Sequence, residues 1–169
     1  MLALLLSSGI VLLDQATKAW IRRTFVLNGG IAILPGLFNL CYVENKGAAW
    51  GIFSGKSLFL IVFSVAMLSL IVLFRRKIFD PIPGGRICLG LLSGGIIGNL
   101  IDRVRFGHVV DFLDFHWRAH HFPAFNVADS AICIATGLFL AGTLLADRRE
   151  KARKAEGAEA PNPPGDAGN

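Results

Sequence analysis

The chain has 169 residues, 53% of them hydrophobic and 17% charged, with a formal net charge of +5 at pH 7. One domain fits that length, but a mean hydropathy of +0.56 excludes an ordinary water-soluble one and points to an integral membrane protein. The positive charge does not indicate a nucleic-acid partner, because Lys and Arg stand beside apolar runs, where they orient spans and meet anionic headgroups.

Leu2 to Leu13 is nearly continuous apolar sequence. At 1.5 Å per residue it covers only ~20 Å of a hydrocarbon layer about 30 Å thick, so the first span must continue through Asp14, Gln15, Thr17 and Lys18 to about Trp20. Basic residues before the run and a small-residue cleavage site after it would mark a signal peptide. Neither is evident, and the segment reads as a transmembrane anchor. Asp14 and Lys18 share a helix face at a spacing of four; an ordinary ion pair with a snorkelling lysine also fits them.

Residues 21–56 change character. Asn28, Gly29, Gly30, Pro35 and Gly36 punctuate two short β-favouring runs, Ile31 to Leu34 and Leu37 to Val43. Neither can span, and an open sheet edge cannot face lipid, so the segment lies at or outside the membrane surface. It ends in Glu44, Asn45 and Lys46, followed by the small residues Gly47, Ala48, Ala49 and Gly51, which allow close backbone approach.

The second span runs from about Ser57 to Phe74 and stops at Arg75, Arg76 and Lys77. Pro81, Pro83, Gly84 and Gly85 break the helix and turn the chain back. The third span covers about 86–103. In it Gly90, Gly94 and Gly98 form a stripe suited to close helix packing, while Gly95 lies one residue off that stripe. Asn99, Asp102 and Arg103 follow on one face, either as a salt-bridged helix end or as groups that hold something between them.

Residues 104–125 hold Asp111, Asp114 and the rings Phe106, Phe112, Phe115, Trp117, Phe122 and Phe125, the composition of an interfacial segment. The fourth span is about 126–146. Asn126 with Asp129 three residues on reads as a helix N-cap with an acidic first turn. The remainder, 147–169, is basic and then Gly, Ala and Pro-rich, and is expected to be a disordered cytoplasmic tail. Cys41, Cys88 and Cys133 are widely spaced and read as buried packing residues rather than a disulfide framework or a zinc knuckle.

The turn from Arg75 to Arg86 and the start of the tail are dense in Lys and Arg, which by the positive-inside rule puts both, and both termini, in the cytoplasm. Loops 21–56 and 104–125 are then external. Asp14, Lys18, Asn45, Asn99, Asp102, Arg103, Asp111, Asn126 and Asp129 all gather toward the external side, where ionisable groups beside hydrocarbon suggest a functional site. No nucleophile stands beside a base at a recognisable spacing, which leaves a pair of aspartates sharing one proton. From spacing alone Asp111 with Asp129 is a candidate pair, Asp114 serves as well as Asp111, and Asp102 is not excluded. Two rivals remain. His116, His120 and His121 near Asp111 and Asp114 suggest a metal-dependent peptidase, although no HExxH is present. Asp14, Lys18, Asp102 and Arg103 suggest a small transporter or proton relay.

DQATK from Asp14, ENKGAAWGIF from Glu44, GNLIDR from Gly98, GHVVDF from Gly107 and FNVADSA from Phe125 together resemble the lipoprotein signal peptidases, the type II signal peptidases of bacteria. The resemblance covers most of the chain up to the tail. It implies a mainly α, integral membrane protein with four transmembrane helices, a small extracytoplasmic β-cradle and a short interfacial helix in the bacterial inner membrane. The implied enzyme is an aspartic endopeptidase that cleaves prolipoproteins before a diacylglyceryl-modified cysteine. Asp111 and Asp129 would be its catalytic pair, with Asp14, Lys18, Asn45, Gly95, Asn99, Asp102, Arg103 and Asn126 around them. It would act as a monomer among membrane lipids, with no metal or cofactor. The His-rich segment after Asp114 departs from the family pattern.

Overall fold

The structure, a computed structural model, describes residues 1–47, 52–118 and 120–159, with backbone only for 155–159. Eight elements follow in chain order: α1 (Leu2–Thr24), β1 (Gly30–Leu34), β2 (Phe38–Asn45), α2 (Ser57–Phe79), α3 (Gly85–Phe106), β3 (Val109–Trp117), β4 (His120–His121) and α4 (Val127–Glu159). All four helices are long and apolar enough to cross a membrane. Leu4, Leu12, Leu58, Leu73, Leu140 and Leu144 are exposed, an outward apolar face that water would not tolerate over so much surface and that lipid solvates.

The helices overrun their expected ends. α1 passes Trp20 to Thr24, α2 passes Phe74 to Phe79, and α3 begins at Gly85 and ends at Phe106. The extra turns are basic, because Arg and Lys side chains reach water while their backbone stays helical. The largest difference is at the C-terminus. α4 continues through Glu159 rather than ending near 146, and the Asp147–Lys151 and Glu150–Lys154 pairs at 2.8 and 2.6 Å support that exposed extension. The rest of the expected tail, 160–169, lies outside the described residues, as do Ala48, Ala49 and Gly51.

α3 is the central helix. A Cβ at Gly90 would meet Ala3 O and Leu6 Cβ at 2.9 and 2.8 Å, and one at Gly94 would meet Ser7 O and Ile10 Cβ, both at 2.9 Å. The stripe therefore seats α1. Gly95, one position round, seats α4 instead: its Cβ would lie 2.5 Å from Ala128 O and 2.7 Å from Ile132 Cγ1. At Gly98 the stripe admits a polar group, since a Cβ there would be 2.7 Å from Asp14 Oδ2. At the opposite end of the bundle Gly142 lies against Ile82 and Pro83, and Phe79 meets Phe139 edge on.

The four strands form one antiparallel sheet in the order β1-β2-β3-β4. Residues 104–125, expected as an interfacial loop, thus supply strands, because the alternating apolar run Val110, Phe112 lays one face on the helices. Val110 and Phe112 pack with Ile21 of α1, covered by Phe25, Leu40, Tyr42, Leu113 and Val127. The short surface helix implied by the resemblance is not found among the described residues. Cys88 is buried in the second core with Ile71 and Phe79, Cys41 is half-buried, and Cys133, expected to be buried, is exposed.

Gly94→Ala should cost about 1–3 kcal/mol through overpacking, read as a lowered unfolding temperature in detergent. Gly137→Ala, with nothing within 4 Å of its added methyl, should leave that temperature unchanged.

Candidate active site

The site is built in two layers, both at the sheet end of the bundle. The deeper layer is a buried ionic clasp centred on Lys18, which is 1% exposed. Its Nζ donates to Asp14 Oδ2 at 2.8 Å, Asp102 Oδ2 at 3.0 Å and Asn99 Oδ1 at 3.0 Å, which uses all three ammonium hydrogens. The remaining carboxylate capacity is also filled. Ala128 N donates to Asp14 Oδ1 at 2.9 Å, tying α1 to the first turn of α4, and Val110 N donates to Asp102 Oδ2 at 3.1 Å, tying α3 to β3. Gln15 Nε2 lies 2.9 Å from Asp102 Oδ1, 3.1 Å from Gly98 O and 3.2 Å from Asp14 Oδ2, its two hydrogens shared among these three acceptors. The Asp14–Lys18 pair is thus the hub of four elements rather than a snorkelling pair at a helix end.

The upper layer carries Asp111 and Asp129. The β2–β3 register sets Val43 opposite Asp111, so Asn45, two residues along and on the same face, reaches it diagonally: Asn45 Nδ2 donates to Asp111 Oδ2 at 2.9 Å. Asn126 Nδ2 donates to Asp111 Oδ1 at 2.7 Å, and also lies 3.2 Å from Asn99 Oδ1 and 3.3 Å from Val110 O. Asn99 Nδ2 donates to Asp129 Oδ1 at 2.7 Å. Because Lys18 and Asn126 both donate to the Asn99 carbonyl oxygen, that amide has one orientation, with its NH2 toward Asp129.

Asn126 and Asp129 also form a reciprocal cap. Asp129 N donates to Asn126 Oδ1 at 2.9 Å and Asn126 N to Asp129 Oδ2 at 3.3 Å, the geometry of a capping box. The expected cap is present, and Asp129 also lies on the cavity that Asp111 faces. Burial pushes the Asp111 carboxyl up to about 7, with the nearby Asp129 carboxylate adding to the rise against the donors Asn45 and Asn126.

Asp111 and Asp129 open onto one cavity of about 400 Å³, shared with Asn45, Asn99 and Arg103 on its polar side and walled by Val109, Phe122, Pro123, Phe125, Ile132 and Cys133. Asp14, Lys18, Asp102, Gly95 and Asn126 are behind this surface and hold it in place. Arg103 has a different task from holding the carboxylates: its Nη2 donates to Gly47 O at 3.1 Å, anchoring the chain just after Asn45. The structure separates the acids that spacing left equivalent. Asp114 accepts from Asn39 at 2.8 Å and pairs with His121 at 2.8 Å, away from the cavity, and Asp102 belongs to the clasp. His116 and His120 lie on neighbouring strands, and among the described residues no three His, Cys, Asp or Glu side chains group so as to hold a metal.

Sequence reasoning missed Gln15 and the wall Phe122–Phe125. Gln15 stands inside DQATK beside Asp14 on the α1 face that carries Lys18, which was the available signal. The wall gave none, because its position depends on the β4 return.

Four spanning helices, a sheet on one end and two amide-held carboxyls on a shared cavity define a multi-pass membrane protein with a paired-acid site. A model of the signal peptidase (SPase) II family matches residues 6–145. A lipoprotein signal peptidase of Syntrophotalea carbinolica is 48% identical over 141 residues, covering 81% of this chain and 87% of the relative. Another, from Geobacter sulfurreducens, is 46% identical over 147 residues, covering 85% and 91%. A bacterial membrane enzyme solved by the in meso method at 2.3 Å resolution superposes with a TM-score of 0.77 at 35% identity, covering 88% of this chain and 90% of its own. A second, at 1.9 Å, gives 0.71 at 34% identity, covering 84% and 92%. The chain belongs to the signal peptidase II family.

Lys18→Met leaves Asp14 and Asp102 buried without their counter-charge and should destabilise the fold by about 3–5 kcal/mol. Thermal unfolding in detergent should show that loss, whereas Lys154→Met on the exposed end of α4 should change nothing.

Proposed function

We propose that this chain is an aspartic endopeptidase that removes signal peptides from prolipoproteins, cutting before the diacylglyceryl-modified cysteine, with Asp111 and Asp129 as its catalytic pair. The observation that carries the reading is that these two carboxyls, supplied by β3 and by the first turn of α4, face one chamber with apolar walls. Family membership and relatives named lipoprotein signal peptidases support the substrate class.

Two carboxyls facing one cavity with apolar walls cannot both ionise cheaply, so one keeps a proton. The charged one takes a proton from water as that water attacks the scissile carbonyl. The neutral one then protonates the departing amine, and the pair returns to its starting state with the proton on the other member. Asn45, Asn99 and Asn126 hold both carboxyls in place without adding charge. A recess of about 450 Å³ along Val43, Glu44, Asn45, Lys46, Pro123 and Ala124 reaches Asp111 from the sheet side and gives water a route to that carboxyl. That wall, Phe122, Phe125, Ile132 and Cys133, suits acyl chains and an apolar signal helix. In this reading the sheet end faces the extracytoplasmic side, the Arg75–Arg86 turn and both termini are cytoplasmic, and the chain works as a monomer among membrane lipids. The clasp engages Asp14, Lys18 and Asp102 in fixed pairing at one depth, which argues against a proton path across the bilayer.

Asp111→Asn and Asp129→Asn should each abolish cleavage of a lipidated precursor while the protein inserts and purifies as wild type. Normal turnover by either variant overturns the assignment, and an unlipidated precursor should be cut far more slowly than the lipidated one.

A pair that must hold one proton loses it as pH rises through the raised value at Asp111, about 7. The cleavage rate at limiting substrate should therefore fall about tenfold per pH unit on the alkaline side, with the break near 7, measured on wild type in detergent or vesicles.

A further inference from the structure

Basic residues at the bundle end away from the sheet play no part in the clasp or the chamber. Three of them border a groove of about 910 Å³ between the end of α2, the turn that follows it and the outer part of α4. Local sequence makes the groove. Pro81 and Pro83 keep residues 80–84 out of helix, and Gly142, lacking a side chain, lets Ile82 and Pro83 lie directly against α4. α4 then runs on to Glu159, leaving a cleft between its outer turns and the end of α2. The floor is apolar, formed by Ile78, Pro81, Ile82 and Phe139. The rim is charged. Lys77 of α2 stands on one side, with Arg149 and Arg153 on the other, four residues apart and so on one face of α4. Asp147 and Glu150 also line the groove, but Lys151 holds Asp147 at 2.8 Å and Lys154 holds Glu150 at 2.6 Å. The rim therefore keeps a net positive charge.

Cations from two helices above an apolar floor, where a bundle leaves hydrocarbon, suit an anionic amphiphile. A free phosphate could use the rim but would gain nothing from the floor. A second feature points the same way. A shallow groove of about 530 Å³ along Val65, Leu68, Val72 and Leu73 of α2 ends one helical turn before Lys77, on the same helix face. It lies within the span Ser57–Phe79, at a depth that an acyl chain reaches and an acidic protein segment does not. We infer that the α2–α4 groove is a binding site for one anionic phospholipid, its phosphate between Lys77, Arg149 and Arg153 and its acyl chains on Ile82 and Phe139 and along α2. The lipid bridges α2 and α4 beside their Phe79–Phe139 contact and so steadies the end of the bundle that the clasp does not reach. This goes beyond the general attraction of basic residues to a charged membrane surface, because it assigns the effect to three named side chains. It is independent of the peptidase reading.

The test counts lipids on the full chain by native mass spectrometry, in a neutral detergent carrying equal amounts of phosphatidylglycerol and phosphatidylcholine. One phosphatidylglycerol per chain should be retained in preference to phosphatidylcholine. A basic residue beside an anionic headgroup contributes on the order of fivefold, so Lys77→Gln should cut that preference about fivefold and Arg149→Gln combined with Arg153→Gln about tenfold or more. Arg75→Gln combined with Arg148→Gln removes the same charge outside the groove and should leave the preference intact. All five side chains are exposed, so each variant should fold, with an unchanged unfolding temperature in the absence of phospholipid. Added phosphatidylglycerol should raise that temperature for wild type and for the Arg75/Arg148 variant, but not for the Arg149/Arg153 variant. Millimolar glycerol 3-phosphate, which has no acyl chains, should not displace the lipid. Displacement by it overturns the lipid assignment in favour of a free-phosphate site. Equal loss in the two double variants, or no preference for phosphatidylglycerol by wild type, overturns the inference outright.

Discussion

The structure depends on a single buried ammonium. Lys18 holds two carboxylates and an amide oxygen at 2.8–3.0 Å in a place where an unpaired charge would cost several kcal/mol. Because Asp14 also accepts from the α4 backbone and Asp102 from the β3 backbone, the clasp does not merely neutralise charge. It fixes the positions at which β3 and α4 leave the bundle, and these two elements carry Asp111 and Asp129. The glycines of α3 make that possible: without the open face at Gly98, Asp14 has no room beside α3, and without Gly95 the first turn of α4 stands off from Asn99.

The amides translate this rigidity into the orientation of the acids. Asn99 is held on its carbonyl side by Lys18 and Asn126 and presents its NH2 to Asp129; Asn126 presents its own to Asp111 while its carbonyl caps α4. Amides suit this position better than cations. A positive donor at each carboxyl would pull both strongly toward ionisation, whereas neutral donors orient them and oppose the effect of burial at Asp111 without overcoming it. Among the described residues Arg103 is the one charged side chain lining the cavity besides the acids, and it is tied to Gly47 O, two residues after Asn45.

Much of this was legible in the sequence. Span number, the role of the glycine stripe and the one-sided gathering of Asp14, Asn99, Asp102, Asp111, Asn126 and Asp129 follow from hydropathy, helical period and the cost of charge beside lipid. Choosing between Asp111 and Asp114 did not follow, because it depends on strand parity and on a register shift between Leu40 and Val43 that no local pattern records; there the family resemblance supplied the choice. The strands of 109–121 were hidden by aromatic composition that reads equally as interface. The overrun of α4 past Ala146 was hidden because a charged helix held by pairs four residues apart has the composition of a disordered tail.

The same constraint explains why the fold devotes so many buried polar groups to so small a core. In a water-soluble enzyme an acid pair can be placed by a large apolar interior. Here the outward faces of the helices are apolar and in a membrane would meet lipid, so apolar contact between helices gains little over contact with hydrocarbon. Close backbone packing and hydrogen bonds must then supply the specificity. Apolar residues such as Val110 and Ala128 are buried at the junction of β3, α3 and α4, but the contacts that decide the geometry there are Val110 N to Asp102 and Ala128 N to Asp14. The site and the scaffold are therefore largely the same set of side chains, and a substitution in the clasp acts on chemistry only by first moving the elements that carry it.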